Sequence, residues 1–192
     1  MKEEHKRQGR RLLGPLVSLL GRAGVAPNAV TLAALPLSAG AAWLFAIGRF
    51  AWAGALAALV GLADTLDGEL ARTSGRKSRF GAVLDSTVDR LSEAMVLGGI
   101  AWYYWPARSL HGLLALVALV LSLMVSYVRA RAEGAGFDCA VGWFERPVRV
   151  LVLLVGAFVL GRTWMPVALG VIALGSLVTV VQRLIHVGRQ RA

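Results

Sequence analysis

The sequence is poor in cysteine, histidine and acidic residues. Its 192 residues include one cysteine, three histidines, and 11 Asp and Glu against 21 Lys and Arg. The single Cys139 excludes an intramolecular disulfide. Charged residues make up only 17% of the chain and hydrophobic residues 57%, which is too apolar for a soluble domain of this length. The composition therefore indicates a protein embedded in a membrane.

Six stretches of the chain are long and apolar enough, or nearly so, to cross a bilayer as a helix, which takes about 20 residues. They are residues 28–48, 51–73, 81–104, 110–130, 147–162 and 165–187. We therefore predict an all-α integral membrane protein with six transmembrane helices. Residues 1–192 would form a single domain, in which 28–187 are the six-helix bundle.

The N-terminal segment lacks both a long apolar run and a small-residue cleavage site, so we expect it to be retained in the mature protein. Residues 1–22 combine basic positions with leucines and a valine. This pattern predicts an amphipathic juxtamembrane helix on the inner leaflet. A solvated basic tail is the alternative.

The basic residues are distributed unevenly along the chain. If the six stretches alternate in direction, 17 of the 21 Lys and Arg fall on one side of the membrane, and three, Arg49, Arg108 and Arg162, on the other. The positive-inside rule places the basic side, with both termini, in the cytoplasm. We therefore expect a multi-pass plasma-membrane protein whose net charge of +10 reflects topology, with no nucleic acid partner.

Four aspartates lie inside the predicted membrane segments. Asp64 and Asp67 are three residues apart, and Asp85 and Asp89 are four apart on the next segment, so each pair shares a helix face. Both pairs lie toward the cytoplasmic side. An ionised side chain in hydrocarbon costs roughly 3 kcal/mol or more, so a bound cation is the simplest compensation. Hard oxygen ligands favour Mg²⁺, Mn²⁺ or Ca²⁺, of which we choose Mg²⁺, and four carboxylates can hold two ions.

These aspartates belong to a longer pattern, D-x-x-D-G-x-x-A-R-x(8)-G-x-x-x-D-x-x-x-D, which is complete between Asp64 and Asp89. The pattern resembles that of the CDP-alcohol phosphotransferases, and the resemblance covers essentially the whole chain. It implies a homodimeric membrane enzyme in which the hydroxyl of a small alcohol displaces CMP from a CDP-linked lipid.

The resemblance also implies roles for single residues. The four aspartates, Asp64, Asp67, Asp85 and Asp89, would bind two Mg²⁺ ions, with Mn²⁺ as a possible substitute, and Asp89 would be the catalytic base. The CDP-lipid would be bound by Asn28, Thr31, Asp64, Asp67, Gly68, Ala71, Arg72, Gly81 and Asp85. The small residues of this set are also typical of close helix packing, so the pattern alone leaves both interpretations open.

Arginines follow in the second half of the chain, on the side of the predicted active site. Arg146 and Arg149 stand at the start of the fifth segment, where the helix dipole disfavours cations and a bound phosphate would compensate them. Topology-setting or headgroup-binding arginines are the alternative.

The sequence around these arginines is similar to that of phosphatidylinositol phosphate and archaetidylinositol phosphate synthases. It departs from them at Val148, which is often acidic there, and at Arg129, which is sometimes lysine. The similarity implies CDP-diacylglycerol or CDP-archaeol as the lipid donor and inositol 1-phosphate as the acceptor. The acceptor phosphate would be bound by Ser126, Arg129, Arg131, Arg146, Arg149 and Arg183.

Other functions fit parts of the sequence. A phosphatidylglycerophosphate synthase would share the aspartate pattern and use another anionic acceptor, glycerol 3-phosphate. A cation- or proton-coupled transporter would also keep carboxylates inside the membrane, although these cluster near one surface. Membrane prenyltransferases have Asp-rich helices but lack the Arg-x(8)-Gly bridge, and a noncatalytic scaffold leaves the four aspartates unexplained.

Overall fold

The structure is a computed structural model that describes residues 14–73, 75 and 78–190. This part of the chain is helical, with short connections and no strand. Residues 14–22 are helical and belong to α1. The following elements are α2 (Pro27–Ala46), α3 (Phe50–Thr73), α4 (Arg79–Tyr104), α5 (Ser109–Gly134), α6 (Arg146–Val155), a π-helical turn (Gly156–Leu160) and α7 (Gly161–Arg189).

The all-helical fold is confirmed. Four helical stretches within the described residues are long and apolar enough to cross a membrane: α2, α3, α5 and the continuous stretch Arg146–Arg189. α4 is as long as α5, at 26 residues, but its first half contains several charged side chains. Most of the predicted N-terminal amphipathic helix, residues 1–13, lies outside the described residues. Within the described part of α1, Val17 is buried against Leu66 and Leu70 of α3.

The last apolar stretch contains a chain reversal. Gly161 has φ 59°, a left-handed conformation that glycine adopts without steric cost. Gly156, before this turn, lies against Met165, after it. Farther from the turn, Phe144 on the first side lies against Gly175 on the second. α6 and α7 therefore pack antiparallel as a helical hairpin, in agreement with the two separate windows that the sequence predicts here.

The bundle is held together by close packing of α2 on α3 and α4, and of α5 on α4 and α7. At the crossing of α2 and α4, a Cβ on Gly99 would lie 2.2 Å from the carbonyl oxygen of Ala42, so only glycine allows this backbone approach. Phe45, Ile100 and Leu169 are fully buried in the core between the helices.

Because neighbouring helices alternate in direction, their ends gather at two poles of the bundle. At one pole the connections α2–α3, α4–α5 and α6–α7 meet: Tyr103 covers Gly48, and the hydroxyl of Tyr104 donates to the carbonyl of Arg162. The opposite pole, here called the site pole, brings together the ends of α3, α5 and α7 and the starts of α2, α4 and α6. The aspartates lie at the site pole.

Candidate active site

Three of the four aspartates form a cluster. Asp64 and Asp67 of α3 and Asp85 of α4 each bring one carboxylate oxygen to within 4.8 Å of the others. Asp67 is buried, and the Thr31 hydroxyl of α2 donates to its Oδ2 at 2.6 Å, which orients the carboxylate. The donor set, carboxylate oxygens on rigid helices, suits a hard divalent cation. The residues therefore fit the predicted metal.

Asp89 stands one turn further along α4 and is joined to the cluster by an arginine. Nη1 of Arg146 donates to Oδ2 of Asp64 at 2.9 Å, and Nη2 lies 2.9 Å from Oδ1 of Asp89. The sequence pattern assigned Arg146 to the acceptor phosphate alone. The structure places its guanidinium between two predicted metal ligands, where it compensates their charge.

A first cavity opens between α2, α3 and α4. It is lined by Pro27, Asn28, Thr31, Asp67, Gly68, Ala71, Arg72, Ser78, Arg79, Gly81, Ala82 and Asp85. Eight of the nine residues predicted to bind the CDP-lipid are in this lining. The ninth, Asp64, is not, because its carboxylate faces Arg146 instead. Ser78 and Arg79 line the cavity and were missed by sequence reasoning.

The two glycines of the first cavity differ in their surroundings: Gly68 has open space beside it, whereas Gly81 stands close to the cavity wall. A Cβ on Gly68 would meet only Nη2 of Arg72, its own helix neighbour, at 3.9 Å. A Cβ on Gly81 would lie 3.0 Å from Oγ of Ser78 and 3.2 Å from Oδ1 of Asn28, both at the cavity wall. These contacts favour the interpretation that the small residues shape a pocket.

A second cavity opens between α4, α5, α6 and α7. It is lined by Ser86, Asp89, Arg90, Glu93, Val125, Ser126, Arg129, Ala130, Glu133, Glu145, Arg146, Pro147, Arg149 and Arg183. Five of the six residues predicted to bind the acceptor phosphate are present. Arg131 is the exception: it is exposed and does not line the cavity. At 3.6 residues per turn, positions two apart on α5 point in nearly opposite directions, so Arg129 and Arg131 cannot share this wall.

Two arginines of the second cavity are already bonded to protein groups. Nε and Nη2 of Arg149 donate to the two carboxylate oxygens of Glu93 at 2.8 and 3.1 Å. Nε of Arg183 donates to the Val141 carbonyl at 2.8 Å, and its Nη1 donates to the Val125 carbonyl. Both arginine side chains are almost fully buried, so they brace the cavity wall.

Arg129 is the more accessible arginine, with 43% of its side chain exposed. Nε of Arg129 donates to Oε1 of Glu133 at 2.8 Å. Oε1 of Glu145 lies 3.8 Å from Nη1 of Arg129 and 3.6 Å from Nη2 of Arg183. Sequence reasoning missed all three glutamates of this cavity. One signal was available for Glu93, since it lies four residues after Asp89 on the same helix and therefore shares its face.

The two cavities meet at the aspartates. Asp67 and Asp85 line the first, Asp89 lines the second, and Arg146 connects the cluster to the second. Two cavities that meet at carboxylates suited to a divalent cation are the arrangement expected of a membrane enzyme that binds two substrates and a metal.

Residues 24–182 match the family described as CDP-alcohol phosphatidyltransferase, and the chain belongs to this family. It is 40% identical to the phosphatidylinositol phosphate synthase of Mycobacteroides abscessus over 182 residues, which cover 91% of this chain and 82% of the relative. It is 39% identical to the enzyme of the same name from Corynebacterium glutamicum, with 93% and 84% covered. The family resemblance of the aspartate pattern is thereby confirmed.

Solved structures agree with the sequence relatives. The crystal structure of Mycobacterium tuberculosis phosphatidylinositol phosphate synthase with CDP-DAG bound has a TM-score of 0.85 and 34% identity, covering 92% of this chain and 94% of that one. The same enzyme in complex with manganese and citrate has a TM-score of 0.84 and 35% identity, covering 90% and 87%.

Proposed function

We propose that the protein is a phosphatidylinositol phosphate synthase that transfers the phosphatidyl group of CDP-diacylglycerol to a hydroxyl of inositol 1-phosphate and releases CMP. The observation that carries the proposal is the junction of two cavities at one carboxylate centre, with small residues on one side and arginines on the other. Its relatives carry this name, and a structural neighbour contains CDP-DAG. The proposal leaves CDP-archaeol open as the lipid donor, because the first cavity would hold the CDP headgroup, which the two lipids share.

The first cavity is the proposed CDP-lipid site. Gly68 and Gly81 leave room for the flat cytosine ring close to the backbone, and Asn28 offers hydrogen-bonding groups to it. Arg72 stands at the same wall, with its guanidinium bonded to Glu69.

The metal site comprises Asp64, Asp67, Asp85 and Asp89, which would hold two Mg²⁺ ions, with Mn²⁺ as a substitute. Bound there, the ions would neutralise the diphosphate and polarise the phosphorus under attack. The cluster of three carboxylate oxygens and the manganese complex of a structural neighbour support a divalent metal. Thr31 holds Asp67 in its ligating orientation through their hydrogen bond.

The acceptor occupies the second cavity, and Asp89 is its general base. An alcohol needs help to lose its proton, because its pKa lies far above 7. Asp89 takes this proton while the acceptor oxygen bonds to the lipid phosphorus and the bond from that phosphorus to the CMP oxygen breaks. Arg146, 2.9 Å from Asp89, holds the acceptor phosphate near the base, with Ser126, Arg129, Arg149 and Arg183 along the same cavity.

The single domain would cross the plasma membrane six times, through α2 to α7, and assemble as a homodimer. The antiparallel hairpin of α6 and α7 supports six crossings, since it divides the last apolar stretch in two. The excess of Lys and Arg near the site pole supports a cytoplasmic active site, with both termini on that side. α1 would lie along the inner leaflet.

The deciding experiment is CMP release from CDP-diacylglycerol by the purified protein with Mg²⁺ and a panel of acceptors: inositol 1-phosphate, glycerol 3-phosphate, serine and free inositol. We expect release with inositol 1-phosphate and none after chelation of the metal. Release with glycerol 3-phosphate alone would identify a phosphatidylglycerophosphate synthase. No release with any acceptor would contradict the enzymatic proposal and favour transport.

A further inference from the structure

Two ion pairs connect α4 and α6 across the second cavity, one turn apart. Asp89 and Glu93 are four residues apart on α4, and Arg146 and Arg149 are three residues apart on α6, so each pair shares a helix face. Asp89 contacts Arg146, and Glu93 binds Arg149. We call the two contacts the α4–α6 ladder, with Asp89–Arg146 as its lower rung and Glu93–Arg149 as its upper rung.

The upper rung is buried and geometrically strict. The side chain of Arg149 is 2% exposed and that of Glu93 13%. Two parallel hydrogen bonds of 2.8 and 3.1 Å join them, and Nη1 of Arg149 donates to the Phe144 carbonyl at 3.4 Å. A bidentate pair fixes the plane of both groups. Separating the two side chains would leave a buried, uncompensated charge, which is energetically costly. The Glu93–Arg149 contact is therefore expected to persist.

The lower rung lies where the chemistry is proposed to occur. Arg146 and Asp89 keep 22% and 18% of their side chains exposed, and both line the second cavity. α6 packs chiefly on α3, α7 and its own π-helical turn, rather than on α4. The two ion pairs therefore form a direct side-chain link between α4 and α6 at this cavity, where the two helices have little backbone packing against each other.

We propose that Glu93 is a positioning residue: through Arg149 it holds the first turns of α6 at a defined distance and register from α4, and thereby keeps Arg146 beside Asp89. Arg149 then supports α6 in addition to lining the second cavity, because its guanidinium is bonded to Glu93 and to the Phe144 carbonyl. The inference rests on the proposed function in one respect, which is that the second cavity receives a phosphate-bearing acceptor. It does not depend on which acceptor this is, since any of them would meet Arg146 and Asp89.

The kinetic test compares Glu93→Gln, Arg149→Gln and the double variant, with the acceptor that the wild type uses best. Loss of the upper rung displaces Arg146, and a misplacement of about 1 Å can cost on the order of 100-fold. We expect acceptor kcat/KM to fall about 10-fold to 100-fold, chiefly through the acceptor KM, while the CDP-lipid KM is unchanged. The double variant should be no worse than the poorer single variant, because both remove the same rung.

Tyr104→Phe is the matched control, since it removes an interhelical hydrogen bond at the opposite pole. It should leave both KM values unchanged. Glu93→Asp retains the charge and should therefore have a higher acceptor kcat/KM than Glu93→Gln. If Glu93→Gln folds poorly, Glu93→Asp takes its place in the comparison with the wild type. Additive single effects, equal losses for both substrates, or an unchanged acceptor KM in Glu93→Gln would overturn the inference.

A second readout does not depend on activity. Spin labels at Val83→Cys on α4 and Leu151→Cys on α6, both exposed positions, report the distance between the helices by EPR. The doubly labelled protein is diluted with an excess of unlabelled protein, so that distances between protomers of the proposed homodimer do not contribute. We then expect a single narrow distance in the wild-type background and a broadened one with Glu93→Gln. An unchanged distribution would contradict the positioning role. Failure of the acceptor panel would instead contradict the proposed function, while this distance measurement would still test the ladder.

Discussion

Asp89 differs from the other three aspartates in its surroundings, although the sequence pattern treats all four alike. Asp64, Asp67 and Asp85 bring oxygens together, whereas Asp89 lies beside Arg146 and lines the second cavity. A general base must reach the hydroxyl that it deprotonates. Its position in the second cavity, where the acceptor is proposed to bind, therefore supports the base role that the family resemblance implies for it.

Replacing Asp89 by Asn tests that role. The amide retains the size of the side chain but cannot accept the proton, so we expect turnover to fall by at least about 100-fold, the usual contribution of a general base. Binding of CDP-diacylglycerol, measured by equilibrium binding, should remain mostly intact. Asp138→Asn, at an exposed carboxylate outside both cavities, is the control. Wild-type-like CMP release from Asp89→Asn would remove Asp89 from the mechanism.

Gly81 tests the assignment of the first cavity. A leucine there would project toward Ser78 and Asn28, 3.0 and 3.2 Å from the position of its Cβ. Because overpacking typically costs about 1–3 kcal/mol, the KM for CDP-lipid should rise about tenfold or more, with the acceptor KM unchanged. Gly98→Leu is the control on the same helix, since a Cβ at that position would have open space within 4 Å. Equal changes in both KM values would contradict the assignment.

The helices follow closely from the apolar windows. The predicted window 51–73 corresponds to α3 (Phe50–Thr73), and the window 81–104 corresponds to α4 (Arg79–Tyr104). Apolar runs of this length favour helix, because inside a membrane the backbone N–H and C=O groups must hydrogen-bond to each other. The last two windows were separated at residues 163–164, and the reversal occurs at Gly161. Composition places the break within two or three residues of the turn, because Gly161, Arg162 and Thr163 interrupt the apolar run, and the backbone torsion identifies the residue at which the chain reverses.

The crossing of α2 and α4 gives a prediction about helix packing. Gly99→Ala places a methyl group 2.2 Å from the Ala42 carbonyl oxygen and must push the two helices apart. We expect a loss of about 1–3 kcal/mol of stability, measured by thermal unfolding in detergent. Gly98→Ala, one residue earlier and with open space around it, should be neutral or slightly stabilising. Equal melting temperatures for the two variants would contradict this close packing.

In the bundle as a whole, the alternation of helix direction brings residues from six helices to one pole. The aspartates come from α3 and α4, Thr31 from α2, Ser126 from α5, Arg146 from α6 and Arg183 from α7. The opposite pole holds aromatic and apolar contacts instead. Within the described part of the chain, most basic residues and both cavities therefore occur at the site pole.

The proposed orientation is testable with single cysteines. Cys139 is buried, so the wild-type chain is a suitable background for labelling with a membrane-impermeant maleimide. Arg108→Cys, at an exposed position of the pole opposite the site, should be labelled in intact cells. Gly134→Cys, near the site pole, should be labelled only after permeabilisation. The reverse result would place the active site outside the cytoplasm.

Local properties of the chain were enough to predict the helical class, the helix windows and the pairing of aspartates on helix faces. The family resemblance of the aspartate pattern supplied eight residues of the first cavity. These features depend on composition, on the 3.6-residue helical period and on a motif confined to neighbouring segments. Two features required the folded bundle: Arg146 bridges Asp64 and Asp89, and Glu93 binds Arg149. The helical period separates Arg129 from Arg131, but only the bundle decides which of the two lines the cavity. Arg146 and Asp64 are 82 residues apart, and Arg149 and Glu93 are 56 apart. Such pairings depend on helix separation and side-chain rotamers, which spacing along the chain does not encode.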